Sequence, residues 1–193
     1  TVTPHALLSS ALLAHRKRGI SGRELTDRIV LLRRIVSDLK APFSRQLENA
    51  PSSPTVIGPL ADAMRMFGHQ KFVRIVDTGG DPIFQVEDST RLELSFYKNT
   101  VLNLVAGRTI VARALLLSGS ERSVPKVKDI ALALSRLFKM EFIYAPAKSF
   151  DHIFEETLLH LQQLGLILVK DGVIEIAPEA HVQPALQFLG EML

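Results

Sequence analysis

The sequence predicts an α+β, mainly helical fold: αα-hairpins around a central apolar helix pair, with two short β-hairpins and a winged-helix-like C-terminal part. Three observations support this prediction. The largest concentration of apolar side chains lies in residues 90–118, and most of them must be buried in a folded protein. Capping residues precede other segments that have apolar residues at helical spacing. Pairs of short apolar segments flank turn residues, as β-hairpins require.

Residues 1–40 are predicted to form a helical hairpin. Thr3 can cap the first helix, and Ser21 with Glu24 has the spacing of a capping box at the start of the second. Residues 41–55 contain three prolines and several Ser and Asn, and this composition predicts a loop. The chain starts without Met, which suits a fragment of a longer protein.

Residues 56–193 are predicted to form the main body of the domain. Two short apolar segments within residues 72–86 flank turn residues and predict a β-hairpin. Thr90 and Glu93 have capping-box spacing at the start of the central apolar segment. Gly107 interrupts that segment, which is interpreted as one core helix or as a kinked pair of helices.

Residues 123–178 are predicted to place two helices before a β-hairpin, which is the order of a winged-helix fold. The Asp171-Gly172 pair predicts the two-residue turn of that hairpin. A DNA-recognition helix needs Arg, Lys, Asn or Gln facing bases and phosphates. The second of these helices, residues 149–165, instead carries acidic side chains that would repel phosphate, namely Asp151, Glu155 and Glu156. A winged-helix nucleic-acid-binding or transcriptional regulatory module is therefore the alternative function, and nucleic acid is disfavoured as a partner.

Composition excludes several functional classes. The chain has 193 residues, 47% of them hydrophobic, which suits a folded protein with a sizeable core. It has no cysteine, so disulfides, zinc–cysteine sites and thiol catalysis are excluded. Residues 101–117 are the best candidate for a membrane span, but Arg108 and Arg113 interrupt them. Each Arg at a helix centre costs roughly 2.5–3.5 kcal/mol on insertion, so a buried helix is expected instead.

No catalytic, cofactor-binding or metal-binding residue is predicted. Asp77-Thr78-Gly79 has the local sequence of an aspartic protease, but that chemistry needs two carboxylates sharing a proton, so we interpret the tripeptide as a turn. No histidine pair has the H-E-x-x-H spacing of a zinc site. His160 lies beside an apolar helix face and is expected to be a hydrogen-bonded boundary residue.

Basic clusters are the candidate surface site. Two of them lie in the predicted N-terminal hairpin, and a third spans residues 122–128. An anionic membrane surface attracts such residues by roughly 1 kcal/mol each, and the other interpretation is an ordinary solvated face. The candidate anionic-surface contacts are Arg16, Lys17, Arg18, Arg33 and Arg34.

Segments at the start, middle and end of the chain resemble, in the same order, the C-terminal region of glycerol-3-phosphate acyltransferases, a family that includes the dihydroxyacetone-phosphate acyltransferases. Residues 96–104, FYKNTVLNL, are similar to the family's "YRNN…L…F" stretch. The opening VTP at residues 2–4 and the RGIS at residues 18–21 also resemble that region, as does FEETL at residues 154–158. Four positions depart from the family pattern: Lys98 replaces Arg, Thr100 replaces Asn, Asn103 replaces His and Val105 replaces Phe.

This resemblance implies that residues 1–193 are a single C-terminal domain fragment of an enzyme of phospholipid synthesis. Such an enzyme moves a fatty acyl group from a thioester of coenzyme A or acyl carrier protein to the sn-1 hydroxyl of glycerol 3-phosphate. The family's H-x-x-x-x-D motif, in which His is the general base, is absent here. The implied role is therefore non-catalytic support of the upstream acyltransferase domain, on the cytoplasmic side and membrane-associated through the full-length protein. The chain alone is expected to be inactive.

Overall fold

The computed structural model of the chain describes four ranges of residues, within which the backbone is mainly helical. Those ranges contain eight α-helices and five short β-strands, and the predicted α+β, mainly helical fold is confirmed. They divide into two compact units, Thr1–Leu104 and Val105–Leu193, while the predicted boundaries of the domain and its sub-parts stay a prediction. The described ranges are 1–14, 19–48, 59–138 and 149–193.

The first unit is built from helices around a small antiparallel sheet. Its strands pair in the order β1-β3-β2. Its elements are α1 (Pro4–Leu13), β1 (Ile20–Ser21), α2 (Gly22–Asp38), α3 (Arg45–Glu48), α4 (Pro59–His69), β2 (Val73–Val76), β3 (Ile83–Val86) and the first half of α5 (Arg91–Leu117).

Helix α1 is the buried centre of the first unit. Thr3 caps it as predicted, since its hydroxyl oxygen accepts a hydrogen bond from the backbone N–H of Ala6 at 3.2 Å. Side chains on every side of α1 are buried, and the helix packs against α2 and α4. A helix that is apolar all round has to lie inside the fold. The buried Arg28 of α2 reaches it and donates a hydrogen bond to the carbonyl oxygen of Ala11 at 3.1 Å.

Strand β1 was not predicted, because its residues lie where the sequence indicates a simple connection between two helices. Ile20 pairs with Phe84 and Ser21 with Ile83 in an antiparallel register. A Cβ at Gly19 would lie 2.5 Å from the Ile83 side chain, so only glycine allows the chain to approach β3 this closely. The connection therefore becomes an edge of the sheet.

The first turn of α2 is held by residues distant in sequence as well as by its predicted cap. The Ser21 hydroxyl accepts from the Glu24 N–H at 3.2 Å, as predicted. Both carboxylate oxygens of Asp81 lie 3.2 Å from the Arg23 backbone N–H. The Gly22 N–H donates to the Pro82 carbonyl at 2.8 Å. The turn after β2 thus satisfies donors of the helix start that would otherwise be unpaired.

The second unit has the strand and helix order of a winged helix. Backbone hydrogen bonds of 2.8 Å join Val124 to Gly172 and Ile174 to Arg122, so the residues before α6 pair with the hairpin. The predicted Asp171-Gly172 turn is confirmed, with positive φ at both residues. The elements after α5 are α6 (Val124–Leu137), α7 (Phe150–Gln163), β4 (Ile167–Lys170), β5 (Val173–Ile176) and α8 (Val182–Glu191).

The central apolar segment is a single 27-residue helix, α5, which agrees with the core-helix interpretation and not with the helix pair. Gly107 lies inside α5, where a glycine costs only about 1 kcal/mol relative to Ala. A Cβ at residue 107 would lie 3.0 Å from the Thr157 hydroxyl oxygen, so the glycine permits the close approach of α7. Its role is packing, and it does not end the helix.

The predicted capping box at Thr90 and Glu93 is wrong. Thr90 lies in a short 3-10 turn before α5, and its hydroxyl donates to the carbonyl oxygen of Glu87 at 2.9 Å. The carbonyl oxygen of Phe72 lies 3.2 Å from the same hydroxyl oxygen. Thr90 therefore links the start of α5 to the residues that flank β2 and β3. The extended segment predicted for residues 140–144 lies outside the described residues.

Asp81→Ala is expected to lower the free energy of unfolding by about 1 kcal/mol, because α2 loses a charged acceptor at its N-terminus. Urea denaturation followed by circular dichroism measures the change. Asp129→Ala is the control, because Asp129 is exposed on α6 and surface substitutions change stability by less than about 0.5 kcal/mol. Equal stabilities of the two variants would contradict the capping role of Asp81.

Gly190→Ala is expected to destabilise the chain by about 1–3 kcal/mol, because overpacking strains a core. The added Cβ would lie 2.9 Å from the Leu116 side chain and 3.2 Å from the Arg113 Cα. Gly68→Ala in α4 is the matched control: nothing lies within 4 Å of its added Cβ, and the gain in helix propensity should be neutral or stabilising. Thermal denaturation of both variants tests the contrast, which fails if Gly190→Ala unfolds no earlier than Gly68→Ala.

Candidate functional site

Of the predicted anionic-surface contacts, the structure describes two. Arg33 is half-buried, and its guanidinium donates to the carbonyl oxygen of Leu47 at 2.9 Å, so this side chain ties α2 to α3. Arg34 is exposed on α2. Arg16, Lys17 and Arg18 lie outside the described residues.

The third basic cluster, residues 122–128, is used within the second unit. Lys126 lies 2.8 Å from the carboxylate of Glu121, and Lys128 lies 2.9 Å from that of Asp151. The Lys126 interaction also lowers the pKa of the Glu121 carboxyl. Exposed ion pairs of this kind contribute little to stability, but they offset local positive charge.

Helix α7 occupies the place of a winged-helix recognition helix, and its surface is acidic. Asp151, Glu155 and Glu156 are all exposed. Glu156 also lies 3.2 Å from the imidazole of His152. The winged-helix order therefore comes with a surface that repels phosphate, and it gives no support to DNA recognition through α7.

The first half of α5 exposes a stripe that contains two large apolar side chains. Leu92 is 71% exposed and Phe96, one turn later, is 72% exposed. Asn99, Thr100 and Asn103 continue the stripe, and each is exposed. We call these five residues the α5 stripe. Sequence analysis missed it, because apolar residues on every side of this segment predicted burial.

Aromatic rings pack beside the α5 stripe. The Tyr97 ring lies 5.6 Å from the His5 ring and 5.9 Å from the Phe67 ring, and Phe67 lies 6.0 Å from Phe72. Burial lowers the pKa of His5, and no described residue bonds its Nε2 atom. Tyr97 thus packs its ring against those of His5 and Phe67 within the first unit. Asn99, two residues later on α5, has an exposed side chain.

Two cations flank these aromatic rings on α5. Arg91 donates to the carbonyl oxygen of Leu13, the last residue of α1, at 3.3 Å. Burial lowers the pKa of Lys98, and the nearby charge of Arg91 lowers it further. Both side chains thus take part in the packing of the first unit.

The second half of α5 lines an apolar pocket in the second unit. The pocket has a volume of about 120 Å³. Its walls come from α5, α6 and α7: Gly107, Ile110, Val111, Ser135, Phe150, Ile153, Phe154 and Thr157. We call this cavity the α5–α7 pocket. Among the described residues that line it, the polar side chains are the two hydroxyls of Ser135 and Thr157, so this part of the wall suits an uncharged ligand.

A hydrogen bond between side chains joins α5 to α7. Arg108 Nε donates to His160 Nδ1 at 3.1 Å, which confirms His160 as a hydrogen-bonded residue. Burial lowers the pKa of Arg108, while the charge of Glu156 opposes that shift.

No group of three or more His, Asp or Glu in the described ranges is arranged to hold a metal ion. By length and composition, Asp88–Leu117 could cross a membrane. Yet 56% of its apolar window is buried within the fold, as in the core helix of a folded protein.

Comparison with known proteins places the chain in a family. Curated relatives from Mycobacterium bovis and Mycobacterium tuberculosis are each named "Putative acyltransferase plsB1". They are 27% identical to this chain over 84 residues. The match covers 41% of this chain and 14% of the relative's length. The family model of the glycerol-3-phosphate acyltransferase C-terminal region matches residues 1–193. Because that match includes every residue, the chain belongs to the glycerol-3-phosphate acyltransferase C-terminal region family.

Proposed function

We propose that this chain is the non-catalytic C-terminal region of a glycerol-3-phosphate 1-O-acyltransferase that acts in phospholipid synthesis. The observation that carries the proposal is the family match over the whole chain, combined with the absence of H-x-x-x-x-D from its sequence. The residues five positions after the six histidines are Ser10, Ile20, Arg74, Thr157, Gly165 and Leu186, and none is an Asp. Acyl transfer to a hydroxyl needs a general base, and this chain offers none in that arrangement.

The support role is proposed to act through the α5 stripe. Two exposed side chains as large as Leu92 and Phe96, one helical turn apart, suit contact with another folded region. Burying each would contribute about 1.5–3 kcal/mol. The occupant we propose is the upstream acyltransferase domain of the same polypeptide, since the family is named as a C-terminal region.

Association with an anionic membrane surface is a further part of the proposal. It would act through Arg16, Lys17 and Arg18 of the sequence and through Arg34, which is exposed. Arg33 supports it less, because its guanidinium already bonds the backbone of α3. We infer a peripheral location on the cytoplasmic side, reached with the full-length protein.

The 193-residue chain is expected to show no acyl transfer. Incubation with glycerol 3-phosphate and a long-chain acyl-coenzyme A should release free coenzyme A no faster than a blank without protein. A full-length protein that contains H-x-x-x-x-D is the positive control. Turnover by the chain alone would overturn the non-catalytic assignment.

Phe96→Ser is expected to leave the stability of the isolated chain nearly unchanged and to lower the stability of the full-length enzyme. In the isolated chain the free energy of unfolding should change by less than about 0.5 kcal/mol, because Phe96 is exposed. In the full-length enzyme the loss of a buried aromatic contact should cost about 2 kcal/mol, lowering the midpoint of thermal inactivation.

Leu159→Ser is the matched control for this experiment. Leu159 is 57% exposed on α7, outside the α5 stripe, and its substitution should leave both proteins unchanged. If Phe96→Ser and Leu159→Ser inactivate the full-length enzyme at the same temperature, the α5 stripe is not the docking surface.

A further inference from the structure

The α5–α7 pocket has walls that suit an alkyl group. Ile110 and Val111 of α5 face it together with Ile153 and Phe154 of α7, and none of its lining residues is charged. Its volume of about 120 Å³ approaches that of an engineered apolar cavity, about 150 Å³, which stays dry and binds benzene. By that comparison the pocket accepts a ligand of roughly six heavy atoms.

One polar group in the pocket wall is the hydroxyl of Thr157. Thr157 is fully buried, and its hydroxyl makes no hydrogen bond within the described part of the chain. A threonine inside a helix usually satisfies its hydroxyl at a carbonyl of the preceding turn. Leaving it unpaired in an apolar site is costly, so a ligand that accepts its hydrogen would relieve that cost.

Gly107 leaves open the space in front of this hydroxyl. A Cβ there would lie 3.0 Å from Thr157 Oγ1 and 3.5 Å from the Ile153 side chain. Any larger residue at position 107 would therefore cover the hydroxyl. The glycine, the unpaired hydroxyl and the apolar walls together define a site for an apolar molecule that has one hydrogen-bond acceptor.

We propose that the α5–α7 pocket binds a short, uncharged acyl segment. Its alkyl part lies against Ile110, Val111 and Ile153, and its carbonyl oxygen accepts a hydrogen bond from the Thr157 hydroxyl. The choice of an acyl group among carbonyl compounds rests on the proposed function, whereas the polarity and size of the ligand come from the pocket alone.

The test uses methyl propyl ketone, which carries a butanoyl carbonyl, and its analogue in which CH₂ replaces the carbonyl oxygen. Each is titrated into the 193-residue chain with ¹³C-labelled Ile and Val methyl groups. We expect the ketone to shift the methyl signals of Ile110, Val111 and Ile153, and to leave those of Ile29 and Ile35 in the first unit unchanged. Shifts confined to the first unit, or no shifts at all, would overturn the proposal.

Thr157→Val tests the hydrogen bond. The ketone should bind about fivefold more weakly to the variant, which corresponds to about 1 kcal/mol for one net hydrogen bond, and the CH₂ analogue should bind equally well or better. The variant should also have a raised thermal midpoint without ligand, because it removes an unpaired hydroxyl. Equal effects of the substitution on both probes would exclude a role for the hydroxyl in binding.

Val111→Phe tests the pocket itself. The larger ring should fill the cavity and abolish the ketone-induced shifts at Ile110 and Ile153. Leu159→Phe adds a ring to the exposed surface of α7 and should leave binding intact. Unchanged ketone binding by Val111→Phe would contradict the site. These readouts contain no acyl transfer step, so a failure here differs from a failure of the support role, which is measured in the full-length enzyme.

Discussion

The burial of α5 is the constraint on which both units depend. Leu94 and Val101 are fully buried in its first half, and Val105 and Leu115 are fully buried in its second. Each such side chain contributes about 1.5–3 kcal/mol when it leaves water, so the helix cannot be removed from either core without unfolding it. The same burial explains how a segment apolar enough for a membrane span belongs to a folded domain. It also explains why Gly107 is tolerated: packing on both sides of it holds the helix together.

Local signals predicted the elements well, and contacts distant in sequence account for the differences. Thr3, Ser21 and Ser149 cap their helices because the donor and acceptor lie within three residues of each other. The contact of Asp81 with the start of α2 joins residues 58 positions apart, and no local sequence pattern predicts it. Strand β1 exists only because β3 offers an unpaired edge. Thr90 shows the reverse case: its cap spacing is correct, but the hydroxyl bonds carbonyls of the preceding chain instead.

The candidate surfaces were harder to predict than the fold. Hydropathy ranks Leu92 and Phe96 as core residues, and only the packing of the neighbouring helices decides that they are exposed. The basic clusters look alike in sequence, yet Arg33 is used internally while Arg34 is exposed. Thr157 lies on the buried face of α7. That its hydroxyl is unpaired depends on the positions of α5 and α6, which the spacing of residues along α7 does not contain.

The two halves of α5 present different kinds of side chain to their surroundings, and this difference separates the proposed docking surface from the proposed ligand pocket. The first half presents large side chains outward, which suits contact with a folded surface. The second half presents Gly107 and branched side chains to a cavity, which suits a small ligand. A substitution that unfolds α5 would destroy the surface on its first half and the pocket wall on its second half. A substitution confined to an exposed or pocket-lining atom would not, because the buried side chains that hold α5 in each core stay in place.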